Sequence, residues 1–478
     1  MVTSVRPLAC AFALSCSLAG VLSAQQKALN PSQQLARDVY QELVELNTSV
    51  VTGDITPAAN AMARRFRDAG FPEKDIFVGG PTAKKHNVVV RYRGRGGAGA
   101  PKPVLLLAHL DVVEALKADW SPELDPFKFT EKDGFYYGRG TSDDKAMASI
   151  FVANAIRLKK EGYVPQRDII IALTADEEGG DHNGVEWLLQ HHRALMDADF
   201  VINEGGGGAL REGKPLLQSV QAAEKIYADF TLRVTNAGGH SSVPRADNAI
   251  YQLATGLVKL SKHQFPVELN AVSRAFFERT AAAEKPEMGA AMTALAKDPA
   301  NAGAAAIIAR EPRYNSMMRT TCIATMLAGG HAANALPQLA QANVNCRIAP
   351  TSSQAKVKAA LEQVLGDPGI AIVDSTVGDR SSPPSELRGD VMGPVEKLTR
   401  EMYGDIPVVP TMSTGATDSR FFRALGVPAF GVSGLFSDPT VDARAHGRDE
   451  RVRIEWYYKG QEFLYQLTRA LSSSVPIP

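Results

Sequence analysis

Leu35, Val39, Leu43 and Leu46 fall at helical spacing behind Asn30-Pro31, an N-cap and first-turn proline that predict a helix start. Thr56-Pro57 repeats that signal, and Gly70 predicts the end of the second helix. Three short runs then lack polar alternation: Val104 to Ala108, Ile169 to Ala175 and Phe200 to Ile202. They are too short for helices and too uniformly apolar for strands with one wet face, so they predict strands buried on both faces of a largely parallel sheet. Helical patterns from Lys145 to Lys160 and around Val185 to Leu195 alternate with them, which predicts an α/β fold.

The texture changes near Lys225. An alternating strand (Tyr227 to Thr235), a helix (Ala249 to Leu260), two strands (Arg319 to Leu327, Ala342 to Ile348), a helix (Gln354 to Leu365) and a last strand (Ile370 to Val373) spell β-α-β-β-α-β. That order predicts a ferredoxin-like domain. An Ala-rich piece, about Phe276 to Ala309, lies inside it and reads as extra helix. Gly378 to Ser385 is linker-like, and a helix with the strand Pro428 to Val432 returns to the first texture. The expected organisation is a large domain from 27–224 and 379–478, interrupted by a small domain at 225–378. Gly94 to Pro103 is expected to be a surface loop, and no internal repeat is seen.

Composition narrows the function classes. The 478 residues are 45% hydrophobic and 22% charged, which excludes a disordered or collagen-like chain. Lys+Arg and Asp+Glu both number 52, so nothing in the charge balance points to nucleic acid. Arg6, the apolar stretch Leu8 to Leu22 and Leu22-Ser23-Ala24 ahead of a polar run predict a signal peptide over 1–24, hence export to the periplasm or medium with no stable membrane anchor after cleavage. Of the four cysteines, Cys10 and Cys16 leave with that leader. Cys322 and Cys346 have their midpoint at 334, the centre of the connection between two adjacent strands, so a simple antiparallel register sets them face to face. A disulfide and a pair of thiols both fit that position.

The informative fact is where ionisable residues fall. His109 and Asp111 follow the first buried run, Asp176, Glu177 and Glu178 the second, and Glu204 the third. Ligands of open α/β sheets bind outside the carboxyl ends of the strands, so the three clusters are expected to meet, and Asp143 and Asp144 can join them from the start of the long helix. One imidazole among several carboxylates would be repulsive without a cation. Histidine plus carboxylates and no thiolate suits zinc, cobalt or manganese, and the carboxylate surplus suits two ions sharing a bridging group.

Leu107-Ala108-His109-Leu110-Asp111-Val112-Val113, Tyr137 to Lys145 (Tyr-Gly-Arg-Gly-Thr-Ser-Asp-Asp-Lys) and Ala175-Asp176-Glu177-Glu178-Gly179 together resemble the co-catalytic zinc metallopeptidases, the family of carboxypeptidase G, aminoacylase, acetylornithine deacetylase and succinyl-diaminopimelate desuccinylase. The resemblance runs in order through the mature chain. It implies two zinc ions bridged by Asp143, with His109 and Glu204 completing one shell, and Glu178 and His446, from Ala445-His446-Gly447-Arg448-Asp449-Glu450, completing the other. It implies Glu177 as general base and Asp111 as the partner that steadies the His109 imidazole. His240, in Gly238-Gly239-His240-Ser241-Ser242, is similar to a histidine that reaches the active site, and the resemblance allows it to come from the partner in a homodimer built through the small domain. Asn334 and Arg347 resemble the residues that hold a substrate carboxylate, and Gly415, in Gly-Ala-Thr-Asp, resembles a loop lining the site.

Two departures stand out: Ala146 replaces a common Gly, and Gly205 to Gly208 follow Glu204 where other members have other turn residues. The remaining histidines, His86, His182, His191, His192, His263 and His331, read as surface or packing residues. The expected activity is hydrolysis of an amide bond in a small peptide or N-acyl amino acid. The alternatives are a deacylase of N-acyl metabolites and a metal-containing binding protein without catalysis.

Overall fold

A central sheet runs in the order Ile76–Gly79, Asn87–Tyr92, Ile169–Thr174, Val104–His109, Phe200–Asn203, Ala429–Gly431, Lys214–Glu224, Gly208–Arg211 and Phe436–Ser437, with Val408–Ser413 also pairing to Lys214–Glu224. The computed structural model describes residues 28–96, 100–376 and 381–473. The leader, with Cys10 and Cys16, lies outside them, as do parts of the predicted 94–103 loop and of the linker at 378–385.

The three apolar runs lie side by side and are parallel, with Ala429–Gly431 parallel beside them. Alternate residues serve two cores. Leu106, Ile171 and Ile202 pack on one face with the helices Pro31–Val44 and Lys145–Lys160. Leu105, Leu107, Ile170 and Val201 pack on the other with Val185, Leu188 and Phe422. That double burial is why the runs carry no polar alternation. Outside this centre the pairing is mixed: Asn87–Tyr92 runs antiparallel to Ile169–Thr174, and Phe436–Ser437 parallel to Gly208–Arg211. The pattern around Val185 to Leu195 forms two short helices, Gly184–His191 and Arg193–Met196.

The second sheet is antiparallel throughout, ordered Thr321–Gly329, Leu339–Ile348, Ile226–Thr235 and Ala371–Asp374. Its inward residues, including Phe230, Leu232 and Val344, bury against Leu253 of Ala249–Lys262 and Leu361 of Gln354–Leu365. This is the predicted β-α-β-β-α-β unit. Cys322 and Cys346 stand opposite one another in the register, with Cα atoms 4.1 Å apart, and are joined by a disulfide.

The Ala-rich piece does form helices, Ala271–Thr280, Pro286–Lys297 and Ala302–Ile308. Their placement differs from the expectation. Phe277, Met292, Leu295 and Ile308 bury in the large-sheet core, and Arg279 Nη1 donates to Val408 O at 2.8 Å. The span 225–378 therefore contains chain belonging to both bodies, because the helical face finds its apolar partner at the flank of the large sheet rather than on the small one.

Candidate metal centre

The strand ends bring the sequence clusters together. His109 closes its strand and is 2% exposed; its Nδ1 bonds the backbone oxygen of Asp111 at 3.0 Å, which aims Nε2 outward. Nε2 lies 3.1 Å from Asp143 Oδ1 and 3.9 Å from Glu204 Oε1. The other Asp143 oxygen, Oδ2, lies 3.2 Å from His446 Nε2, which itself lies 2.8 Å from Glu178 Oε1. One carboxylate thus stands between two imidazoles, each of which has a further carboxylate beside it. Ligand atoms of His109, Asp143 and Glu178, and separately of His109, Glu177 and Glu204, all fall within 4.8 Å of one another.

Asp111 differs from expectation in how it acts. Its carboxylate, 3.6 Å from His109 Nδ1, also accepts from the backbone N–H of Glu177 (3.1 Å) and Glu178 (2.9 Å). It is fully buried, so these bonds fix where both glutamates leave the chain. The preceding residue, Asp176, adopts φ 57 and pairs with Lys85 Nζ at 2.6 Å.

Two supporting acids escaped the sequence reading. Glu450, 1% exposed, accepts from Gly140 N, Ser142 N and Oγ, Asp143 N and Arg139 Nη1 at 2.7–3.2 Å, and so shapes the loop that presents Asp143. Its donors are mostly backbone groups some 310 positions away, which no local pattern announces. Asp418 accepts from Asn183 Nδ2 at 2.7 Å, and burial raises its pKa to about 6.

The electrostatics fit a cation. Burial, with help from the neighbouring carboxylates, raises Glu177 and Glu204 well above the ordinary carboxylate range. Hydrogen bonds to Asp143 and Glu178 raise His446 to about 10. Without a metal these groups favour their protonated forms; divalent ions would replace those protons with charge the carboxylates can share.

The glycine run has a packing reason. A Cβ on Gly206 would lie 1.9 Å from Gly431 O, and one on Gly208 2.0 Å from the Phe436 ring. Gly205, Gly206 and Gly207 form one wall of a cleft of about 330 Å³ that also includes Asp143, Asp144, Glu204, Met147 and Leu435.

The small-body residues are elsewhere. His240 sits on a two-residue strand opposite Ala335, exposed, its Nδ1 2.7 Å from Ser242 Oγ. Gly238 and Gly239, at φ 72 and φ 150, make the turn before it. Asn334 is exposed, and its backbone oxygen accepts from Ser241 N–H at 3.0 Å. Arg347 lies over the Tyr227 ring at 4.7 Å. Among the described residues, no hydrogen bond or ion pair joins these three to the ligand cluster. Gly415 lies in the turn between Val408–Ser413 and Asp418, its N–H donating to Ser413 Oγ at 3.0 Å.

The chain is 28% identical over 390 residues to the probable carboxypeptidase S-like 2 of Dictyostelium discoideum (80% of this chain, 74% of that one). It is 27% identical over 398 residues to the human N-fatty-acyl-amino acid synthase/hydrolase PM20D1 (80% and 78%). Its fold matches the M20 metallo-carboxypeptidase Sso-CP2 of Sulfolobus solfataricus with a TM-score of 0.65 at 18% identity, over 91% of this chain and 99% of that one. The model of peptidase family M20/M25/M40 matches residues 105–470, and the chain belongs to that family of peptidases and amidohydrolases.

Proposed function

We propose that the chain is an exported, two-zinc hydrolase of small peptides or N-acyl amino acids. The observation that carries this reading is Asp143, one carboxylate with an oxygen turned to each of two imidazoles, each imidazole beside its own glutamate. His109 and Glu204 would hold one ion, His446 and Glu178 the other, with Asp143 shared. Bound there, two zinc ions would supply Lewis acidity toward water and the amide carbonyl. Glu177, placed by Asp111 and half-buried among other acids, takes a proton from the attacking water and passes it to the leaving nitrogen. A chain that bound metal without catalysis would not need that extra carboxylate.

The substrate class follows the relatives, one named for carboxypeptidase-like similarity and one for N-fatty-acyl amino acids. A deacylase of N-acyl metabolites remains the second reading. Gly415 lines the site, and Arg347 and Asn334 hold a substrate carboxylate. His240 acts from the partner of a homodimer, since in one chain it stands exposed on the small body. The edge strand Thr321–Gly329 supports that dimer, with Ile323, Met326 and Leu327 each at least 67% exposed beside Tyr251 of the adjoining helix. Export is supported by the Cys322–Cys346 disulfide, which suits an oxidising compartment.

The test is purified zinc-loaded protein against dipeptides and N-acyl amino acids. Turnover of either, lost on chelation and regained with zinc, is the expected result. No hydrolysis of any member by the dimetal form overturns the reading. Export is checked separately by the mature N-terminus of the secreted protein.

A further inference from the structure

Two connections between the sheets meet at one buried carboxylate. Glu224 ends the large-sheet strand Lys214–Glu224 and Ile226 begins the small-sheet strand, so residues 224–226 are one crossing. Ser382 and Ser385 lie on the returning chain that follows Ala371–Asp374, which is the other. Glu224 is wholly buried and accepts from Ser382 Oγ (3.1 Å), Thr417 N (3.0 Å) and Thr417 Oγ1 (2.9 Å), with Arg423 Nη1 at 3.3 Å. Arg423 in turn donates to Ser385 Oγ and to Ala429 O, at the start of a central parallel strand. Lys225, also buried, donates to Arg319 O at 2.7 Å, where the chain re-enters the small sheet.

The contacts continue to the metal centre. Thr417 is followed by Asp418, which holds Asn183 at 2.7 Å, and the same Asn183 amide donates to Asp176 O at 3.1 Å. Asp176 precedes Glu177. Buried bonds thus run from the crossing at Ser382 through Glu224, Thr417, Asp418 and Asn183 to the turn that carries Glu177 and Glu178. Each member is wholly or partly buried, and a lost partner there leaves an acceptor or donor without water to replace it.

We propose that Glu224 is a positioning residue that couples the seating of the small body to the placement of Glu177. The proposal rests on Glu177 being the base, and its test does not depend on that. A contiguous set of contacts is only a candidate for coupling until two perturbations prove non-independent.

Ser382→Ala removes the arm at the crossing and touches no residue of the ligand cluster. Thr417→Val removes one bond of the arm toward the site and keeps the backbone one. Native-state hydrogen exchange of the Glu177 and Glu178 amides, which donate to Asp111, reads the far end in the metal-loaded full chain. Each variant should speed that exchange about fivefold, and the double variant should exceed the larger single effect by less than about twofold. kcat should fall in parallel with little change in KM. Unchanged exchange at 177–178 in Ser382→Ala, or single effects that multiply in the double variant, overturns the coupling. Full activity of metallated Glu177→Gln would instead overturn the reading of the base, while the exchange result still decides the coupling.

Discussion

The large-sheet strand ends and the small-body turn around His240 both carry residues marked for chemistry, and they are built differently. At the strand ends three of the acids are held by groups of the protein itself: Asp111 by two backbone N–H groups, Glu178 by the imidazole of His446, Asp143 by two imidazoles and by Glu450 at its own N–H. Among the described residues, the bonds of His240 and Asn334 and the ring contact of Arg347 stay within the small body. A pre-placed cluster needs only ions to be complete. The small-body residues need another molecule, a substrate or a second subunit, to give them a task.

Removing the metals should have the largest effect. Dialysis against a chelator should reduce hydrolysis to background, and residual turnover in metal-free protein, verified by elemental analysis, would break the reading of the strand ends as a metal centre. Next is Glu177→Gln, expected to keep two metals per chain while kcat drops at least ~100-fold. Near-normal turnover in that fully metallated variant would remove its role as base.

His240→Ala sharpens the contrast, since an exposed side chain is asked to act in the transition state. Its kcat should fall by roughly 10² with metal content unchanged. Mixing it with Glu177→Gln should restore part of the activity if one subunit serves the other's site. No recovery, despite subunit exchange shown by labelled chains, would confine His240 to its own subunit. Arg347→Ala should raise KM about tenfold for free-carboxylate substrates and less for their C-terminal amides. An equal loss on both would leave Arg347 as a structural partner of Tyr227.

The smallest effect is on stability. In metal-free protein His446 is raised to about 10, so its contribution is whole below the unfolded value of about 6.5 and is lost as pH rises through the folded one. Glu177 and Glu204, also raised, shift stability in the same direction above about pH 4.5. Metal-free protein should therefore lose stability from neutral to alkaline pH, and metal-loaded protein should not, since its ligands are already deprotonated. Denaturant midpoints across that range, repeated on His446→Ala, check the sign.

The parallel centre was legible because double burial removes polar residues from a strand, and the ligands were legible because they follow such strands directly. Lys214–Glu224 escaped notice for the opposite reason: it buries Gln218, Gln221 and Glu224, so its sequence does not look like a core strand. Glu450 stood inside a quoted motif, yet its work is done on a loop distant in sequence. The Ala-rich helices were readable as helices, but small residues do not specify which apolar surface they will meet. The facing cysteines could be placed from spacing because an antiparallel pair with a known centre has one simple register.

Glu450 and His446 belong to the last 33 residues of the chain, and the parallel strand Ala429–Gly431 comes only shortly before them. In the loop bearing Asp143, the N–H groups of Gly140, Ser142 and Asp143 meet their Glu450 acceptor only when that segment arrives. During synthesis, then, the strand-end clusters have no finished centre until this segment follows, and the helix Ile454–Ser473 brings Tyr457, Phe463 and Leu464 to the core with it. A chain clipped ahead of His446 would keep His109, Asp143 and Glu204 but lose the second imidazole and the acceptor that shapes the Asp143 loop, so the number of metals bound per chain would report whether that segment is in place.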